Sequence, residues 1–167
     1  MKKFILLITS ITLFNCLHSQ YCIIGGPTND EDSNVERVEI IGENNTIINY
    51  VGCPAVLGVE DQTSLYVDLN SGSSYTIDVQ FGTGDDNYAS VGEVWIDFNQ
   101  DAIFDTSESI GSWSGTPPVS ISNFTFTVPL NSVSGYSRIR VIQLEGGSLP
   151  IDPCESFQYG SVVDFTV

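Results

Sequence analysis

Residues 74–96 read Ser-Tyr-Thr-Ile-Asp-Val-Gln-Phe-Gly-Thr-Gly-Asp-Asp-Asn-Tyr-Ala-Ser-Val-Gly-Glu-Val-Trp-Ile, and this stretch decides the fold class. From Ser74 to Phe81 polar and apolar side chains alternate, with Tyr75, Ile77 and Val79 on one face, the period of a half-buried strand. Gly82-Thr83-Gly84-Asp85-Asp86-Asn87 follows. Glycine supplies backbone freedom there, and Asp and Asn bond their own backbone, so this segment is a turn. Residues 88–96 return to β-branched and aromatic side chains, which suit a pleated surface.

The same grammar extends in both directions. Residues 35–41 end at Gly42-Glu43-Asn44-Asn45, residues 46–51 follow, and residues 64–69 run into Asn70-Ser71-Gly72-Ser73. Beyond Pro117-Pro118 come residues 121–128, 136–144 and 160–167, while residues 25–34 form a polar leading loop. Eight or so short runs without helical periodicity predict an all-β chain, an antiparallel β-sandwich of jelly-roll or Ig-like kind. No internal repeat or linker divides it, so residues 20–167 are read as one domain.

Residues 97–108 continue from that strand as Asp-Phe-Asn-Gln-Asp-Ala-Ile-Phe-Asp-Thr-Ser-Glu. Counted from Asp97, oxygen side chains fall at positions 1, 3, 5, 9 and 12 (Asp97, Asn99, Asp101, Asp105, Glu108), with the Ile103 carbonyl at position 7. Ca²⁺ takes six to eight oxygens at about 2.3–2.6 Å, and a chain coiling around the ion delivers them at this spacing. These six residues are therefore expected to hold one structural Ca²⁺. Ala102 stands at position 6, where such loops carry Gly, and left-handed Ala costs on the order of 1 kcal/mol. An EF-hand sets its loop between helices. Here a strand precedes, and the Gly, Ser and Pro of residues 109–118 cannot carry a helix. The expectation is a calcium-type loop in a β-protein; the simpler alternative is an acidic turn that binds nothing.

Lys2 and Lys3, the apolar residues 4–13 and Leu17-His18-Ser19 before Gln20 predict a signal peptide over residues 1–19 and hence a secreted chain. The apolar run falls short of the roughly 20 residues a membrane span needs, and no later segment supplies one, so no membrane insertion is expected. Leu13-Phe14-Asn15-Cys16 resembles a lipoprotein cleavage box, but Asn15 is bulkier than the small residue such boxes favour. Plain secretion is the preferred reading. What remains has Arg37, Arg138 and Arg140 against 21 acids, a net charge of −18. Such a chain repels nucleic acid and anionic membranes and suits a protein that gathers cations.

The single histidine, His18, and both lysines fall within the segment to be removed. Their loss excludes Ser-His-Asp and Cys-His nucleophiles, His-based zinc sites, Schiff-base lysines and P-loops. A carboxylate pair remains as the one catalytic option, for example Glu93 with Asp164, but a chance pair among 21 acids means little. No enzyme is expected. Cys22, Cys53 and Cys154 predict at least one disulfide and one odd thiol, with the pairing open.

Trp95 lies in an apolar strand and reads as core, whereas Trp113 among Ser and Gly, with Tyr159 and Tyr88, is a candidate for stacking on sugar rings. Arg138 and Arg140 sit two apart on a strand and share a face; ion pairing with carboxylates is preferred over an anion site. Asn44-Asn45-Thr46 and Asn123-Phe124-Thr125 fit the short N-glycosylation pattern.

Taken together, Tyr21-Cys22, Val94-Trp95-Ile96-Asp97-Phe98-Asn99-Gln100-Asp101 and Arg138-Ile139-Arg140-Val141 resemble the GEVED domain family of bacterial extracellular proteins. That family reads "WIDxNxDGxF", later "RMRV", and ends on Gly-Glu-Val-Glu-Asp-Tyr. Here Gly160-Ser161-Val162-Val163-Asp164-Phe165 stands at that ending and keeps Gly160, Val162 and Asp164. Ser161 and Val163 replace the two glutamates. The resemblance implies a β-sandwich module without a catalytic role, and a Cys22–Cys154 pair near the two ends. The expected function is a secreted, non-enzymatic binding or adhesion module whose partner is an extracellular glycan or protein surface. The alternative is a carbohydrate-binding module using Trp113 and Tyr159; a carboxylate-based glycoside hydrolase stands third.

Overall fold

The computed structural model describes residues 20–117 and 119–167; the signal peptide expected over residues 1–19 lies outside the described residues. Among the described residues, alternating and β-branched runs become ten strands in two packed sheets. The first sheet contains β1 (Gly26–Asn29), β4 (Val59–Tyr66), β6 (Ser90–Ile96), β7 (Ser109–Gly115), β9 (Arg138–Glu145) and β10 (Ser156–Thr166). The second contains β2 (Ser33–Ile41), β3 (Ile47–Val51), β5 (Ser74–Thr83) and β8 (Ser122–Thr127), ordered β3-β2-β5-β8 and antiparallel throughout.

The first sheet is not wholly antiparallel, which corrects the sequence expectation. β10 pairs antiparallel with β9, then β6 and β7 follow in the same sense. Along its other edge β10 takes two parallel partners end to end: β1 beside residues 156–159 and β4 beside residues 162–166. Its eleven residues are long enough for both. Between β1 and β4 the chain crosses to build β2 and β3 in the other sheet and then returns.

The inner faces meet in one core. Val35, Val38, Ile40, Ile77, Val79 and Phe81 of the second sheet pack against Val94, Ile96, Ile139, Val141, Val163 and Phe165 of the first. Each such side chain contributes roughly 1.5–3 kcal/mol when fully buried. Two glycines let the sheets approach: a Cβ at Gly92 would lie 2.2 Å from Phe81 Cε1, and one at Gly111 would lie 2.1 Å from Phe124 Cδ1. That is why β7, so rich in Gly and Ser, is a strand where the sequence reads as breakers.

A second, smaller core covers the outer face of the first sheet. Val91, Trp95, Ile142, Leu144 and Val162 lie there beneath Phe104 and Ile151, with Tyr21, Val59 and Phe157 at the margin. Covered on both sides, β6 is buried along its entire length, so its sequence loses the alternation seen in β5. Trp95, 1% exposed, belongs to this outer core.

Candidate functional site: the 97–108 loop and the charged face behind it

β6 ends on Ile96, and Asp97 opens the loop with its carboxylate buried to 1% exposure. Asp97 Oδ1 accepts the Gln100 N–H at 2.7 Å, and Oδ2 accepts the Ala102 N–H at 3.1 Å and the Tyr21 hydroxyl at 2.5 Å. The chain then steps forward in two further side-chain turns. Asn99 Oδ1 accepts the Asp101 N–H at 2.9 Å, and Asp101 Oδ1 accepts the Ile103 N–H at 2.8 Å. Gln100 and Ala102 adopt φ of 57° and 62°, the left-handed values that a tight coil requires. Phe104 anchors the far side in the outer core, its ring 5.3 Å from that of Tyr21.

Glu108 closes the loop from a short 3-10 turn, Thr106–Glu108. Its Oε1 accepts the Phe98 and Asn99 N–H groups at 2.9 and 3.3 Å, and Oε2 accepts the Asp105 N–H at 3.2 Å. Burial raises the Glu108 carboxyl above its ordinary value, the backbone donors of Asp105 and Phe98 opposing that rise. Burial, and then the hydrogen bond to Asp97, also push the Tyr21 phenol up, so Tyr21 is a firm donor to that carboxylate. The coil thus ties position 12 back to positions 2 and 3, while Ile103, Asp105 and Asn99 face solvent. Among the described residues, no three His, Cys, Asp or Glu side chains gather as a metal-holding group.

Beside the loop, the outer face of the first sheet carries the buried charge. Arg140 is 0% exposed and meets Asp164 through two bonds, Nε to Oδ1 at 2.7 Å and Nη2 to Oδ2 at 2.8 Å. Its remaining donors reach the Pro153 and Cys22 carbonyls, both at 2.8 Å, and its guanidinium lies 4.9 Å from the centre of the Phe104 ring. Arg138 donates to Asp164 Oδ2 at 3.1 Å and lies over the Tyr21 ring at 4.4 Å. Both arginines are ion-paired, and their carboxylate is the one acid kept from the family's closing motif. Cys22 and Cys154 form a disulfide over the same cluster, and Cys53 is free and exposed.

The other sequence candidates lie apart. Trp113 is half-buried and stacks on Phe81 with centroids 4.9 Å apart, so one face of its ring packs against protein. Tyr159 is half-buried on β10 opposite Asn29, and no aromatic pair among the described residues joins it or Tyr88 to Trp113. Glu93 is 5% exposed and accepts the Ser109 hydroxyl at 2.5 Å and the Ile151 N–H at 3.0 Å; with Asp164 held by arginines, both carboxylates are engaged in the fold. Sequence reasoning gave Tyr21 no role at the loop, and its only signal was its place beside Cys22. No helix among the described residues is long and apolar enough to cross a membrane.

A search of curated proteins finds no match. Against known families, the match spans β6 to β10 and contains the 97–108 loop, the Arg138–Arg140 pair and the Asp164 ending. The chain contains a GEVED domain over residues 91–167.

Proposed function

We propose that this protein is a secreted, non-catalytic binding or adhesion module whose 97–108 loop takes one structural Ca²⁺. The observation that carries the metal reading is the coil itself. Side chains at positions 1, 3 and 5 each bond a backbone N–H farther along the loop, Gln100 and Ala102 supply the left-handed steps, and position 12 returns to the start. A carboxylate has about four lone-pair sites, so the backbone bonds of Asp97 and Glu108 leave acceptor capacity unused. The donors are all oxygens, the kind a hard cation prefers. Asp97, Asn99, Asp101, Asp105, Glu108 and the Ile103 carbonyl would hold the ion, their carboxylates drawing together around it.

Secretion rests on the sequence of residues 1–19, and the non-catalytic reading rests on the residue types available. Melting the protein in EDTA and in millimolar Ca²⁺ tests the metal. Binding to the native state alone adds RT ln(1 + [L]/Kd), about 2.7 kcal/mol at a hundredfold excess over Kd. Asp105→Ala should remove the difference, with an EDTA midpoint lowered only by the loss of its N-cap to the Thr106–Glu108 turn, about 0.5–2 kcal/mol. Equal midpoints for the wild type would refute the metal reading.

A further inference from the structure

At the end of the sandwich where β6 enters the 97–108 loop, a cleft of about 460 Å³ opens. One wall is the turn 68–71 between β4 and β5; the other is residues 132–137 between β8 and β9. Ile96, Phe98 and Val167, which belong to the inter-sheet core or pack on it, line its apolar part. Asn44 also lines a shallower depression of about 290 Å³ that continues to Tyr66, so the two adjoin at that residue as a groove in two parts. Two tyrosines stand along it with their rings in solvent, Tyr136 88% and Tyr66 51% exposed.

We infer that this groove binds a neutral oligosaccharide, an assignment that rests on the reading of the protein as an extracellular binding module. A pyranose ring has an apolar C–H face and a rim of hydroxyls. It therefore needs aromatic faces beside amide, hydroxyl and carboxylate partners. Tyr136 and Tyr66 supply the faces, and Asn44, Asn70, Ser71, Ser134 and Asp68 supply the partners. Ser132 Oγ, in the same lining, is buried without a hydrogen-bond partner among the described residues. No Lys or Arg lines either depression, and the chain is strongly acidic, so anionic sugars and phosphates are disfavoured.

The groove is also bonded to the loop. The Val133 N–H donates to the Phe98 carbonyl at 2.9 Å, Gln100 Nε2 donates to the Val133 carbonyl at 2.9 Å, and the Ser137 hydroxyl donates to the Asp97 carbonyl. Loop order therefore sets the position of one wall.

The experiment is an NMR titration of the purified protein, expressed as the full chain, with neutral oligosaccharides derived from xylan, mannan, β-glucan and galactan. At least one should shift the amide signals of residues 68–71 and 132–137, and Tyr136→Ala should weaken its binding about tenfold or more. Tyr136 is exposed, so this variant keeps its fold. Asp68→Asn, also exposed, should weaken binding by a smaller factor. The assignment is overturned if no sugar in the panel shifts those signals, if Tyr136→Ala binds as tightly as wild type, or if oligolysine occupies the groove and the sugars do not. Melting the same samples in EDTA and Ca²⁺ keeps the two readings separate: a calcium shift without sugar binding removes the groove assignment alone, and sugar binding without a calcium shift removes the metal alone.

Discussion

Replacing Asp164 by Ala tests how the outer face of the first sheet is held. The change deletes both acceptors of Arg140's two bonds, at 2.7 and 2.8 Å, and the acceptor of Arg138's bond at 3.1 Å. Hydrogen bonds to charged groups contribute about 1.5–3 kcal/mol each, so three give an upper bound near 9 kcal/mol. Arg138 is 24% exposed at its side chain and regains water, whereas Arg140 at 0% keeps a buried charge with only the Pro153 and Cys22 carbonyls. Breaking one side of a buried pair typically costs about 3–5 kcal/mol, and that is the expected loss. For a domain of this length it lowers Tm by roughly 10–15 °C. The assay is thermal unfolding of Asp164→Ala, of Arg140→Met, and of the double variant Arg140→Met/Asp164→Leu. Because the penalty is mainly an uncompensated charge, the double variant should be more stable than Asp164→Ala. A drop below about 3 °C for Asp164→Ala, or a double variant no better than that single one, would refute the reasoning.

Three further outcomes are expected. Gly92→Ala puts a Cβ 2.2 Å from Phe81 Cε1 and should destabilise by about 1–3 kcal/mol through overpacking, read as a shifted urea midpoint with unchanged m. Burial raises the folded pKa of Glu108, so in EDTA its stabilising contribution is fully present below the ordinary carboxylate range, near pH 4, and is lost as pH rises through the folded value. Wild type should therefore lose stability relative to Glu108→Gln as pH rises above the ordinary carboxylate range, and parallel Tm–pH curves would exclude that linkage. A fragment of residues 91–167 keeps β6 to β10 but exposes Val94, Ile96, Ile139, Val141, Val163 and Phe165; it should show no cooperative melt by circular dichroism.

The sequence was most legible where local pattern and burial coincide. β5 alternates because one of its faces is core, and its observed bounds, Ser74–Thr83, follow that alternation closely. The loop after Ile96 was legible because side-chain turns are local: each acceptor and donor lie within five residues. β1 was read as loop because its four residues are held by β10, more than a hundred positions away. β4 begins at Val59, earlier than expected, because Glu60, Asp61 and Gln62 read as surface although pairing with β10 keeps them in strand. β7 was missed because glycine signals both a break and a close approach, and only the positions of Phe81 and Phe124 distinguish the two. The Arg138–Arg140 spacing gave a shared face; that the partner is Asp164 depends on β10 lying beside β9 in the observed register.

Where the positive charges sit makes the outer face and the loop one electrostatic unit. Of the three arginines in residues 20–167, two are turned into the outer face and share a single carboxylate, Asp164. Glu93 is buried on the same face, so two carboxylates stand there against the two guanidinium groups. Tyr21 spans the gap: its ring lies under Arg138, and its hydroxyl donates to Asp97, the first residue of the loop. Arg138 thus lies one side chain, that of Tyr21, from Asp97. The third arginine, Arg37, pairs with Glu39 at the surface. The rest of the surface is acidic, so a cation entering the loop meets an attractive field while an anionic ligand meets a repulsive one. The Cys22–Cys154 bond holds the segment that carries Tyr21 in place. Tyr21→Phe should therefore leave the aromatic packing on Phe104 intact and weaken calcium binding by releasing the Asp97 carboxylate. Unchanged affinity in a calcium titration would show that Asp97 is held by the Gln100 and Ala102 amides alone.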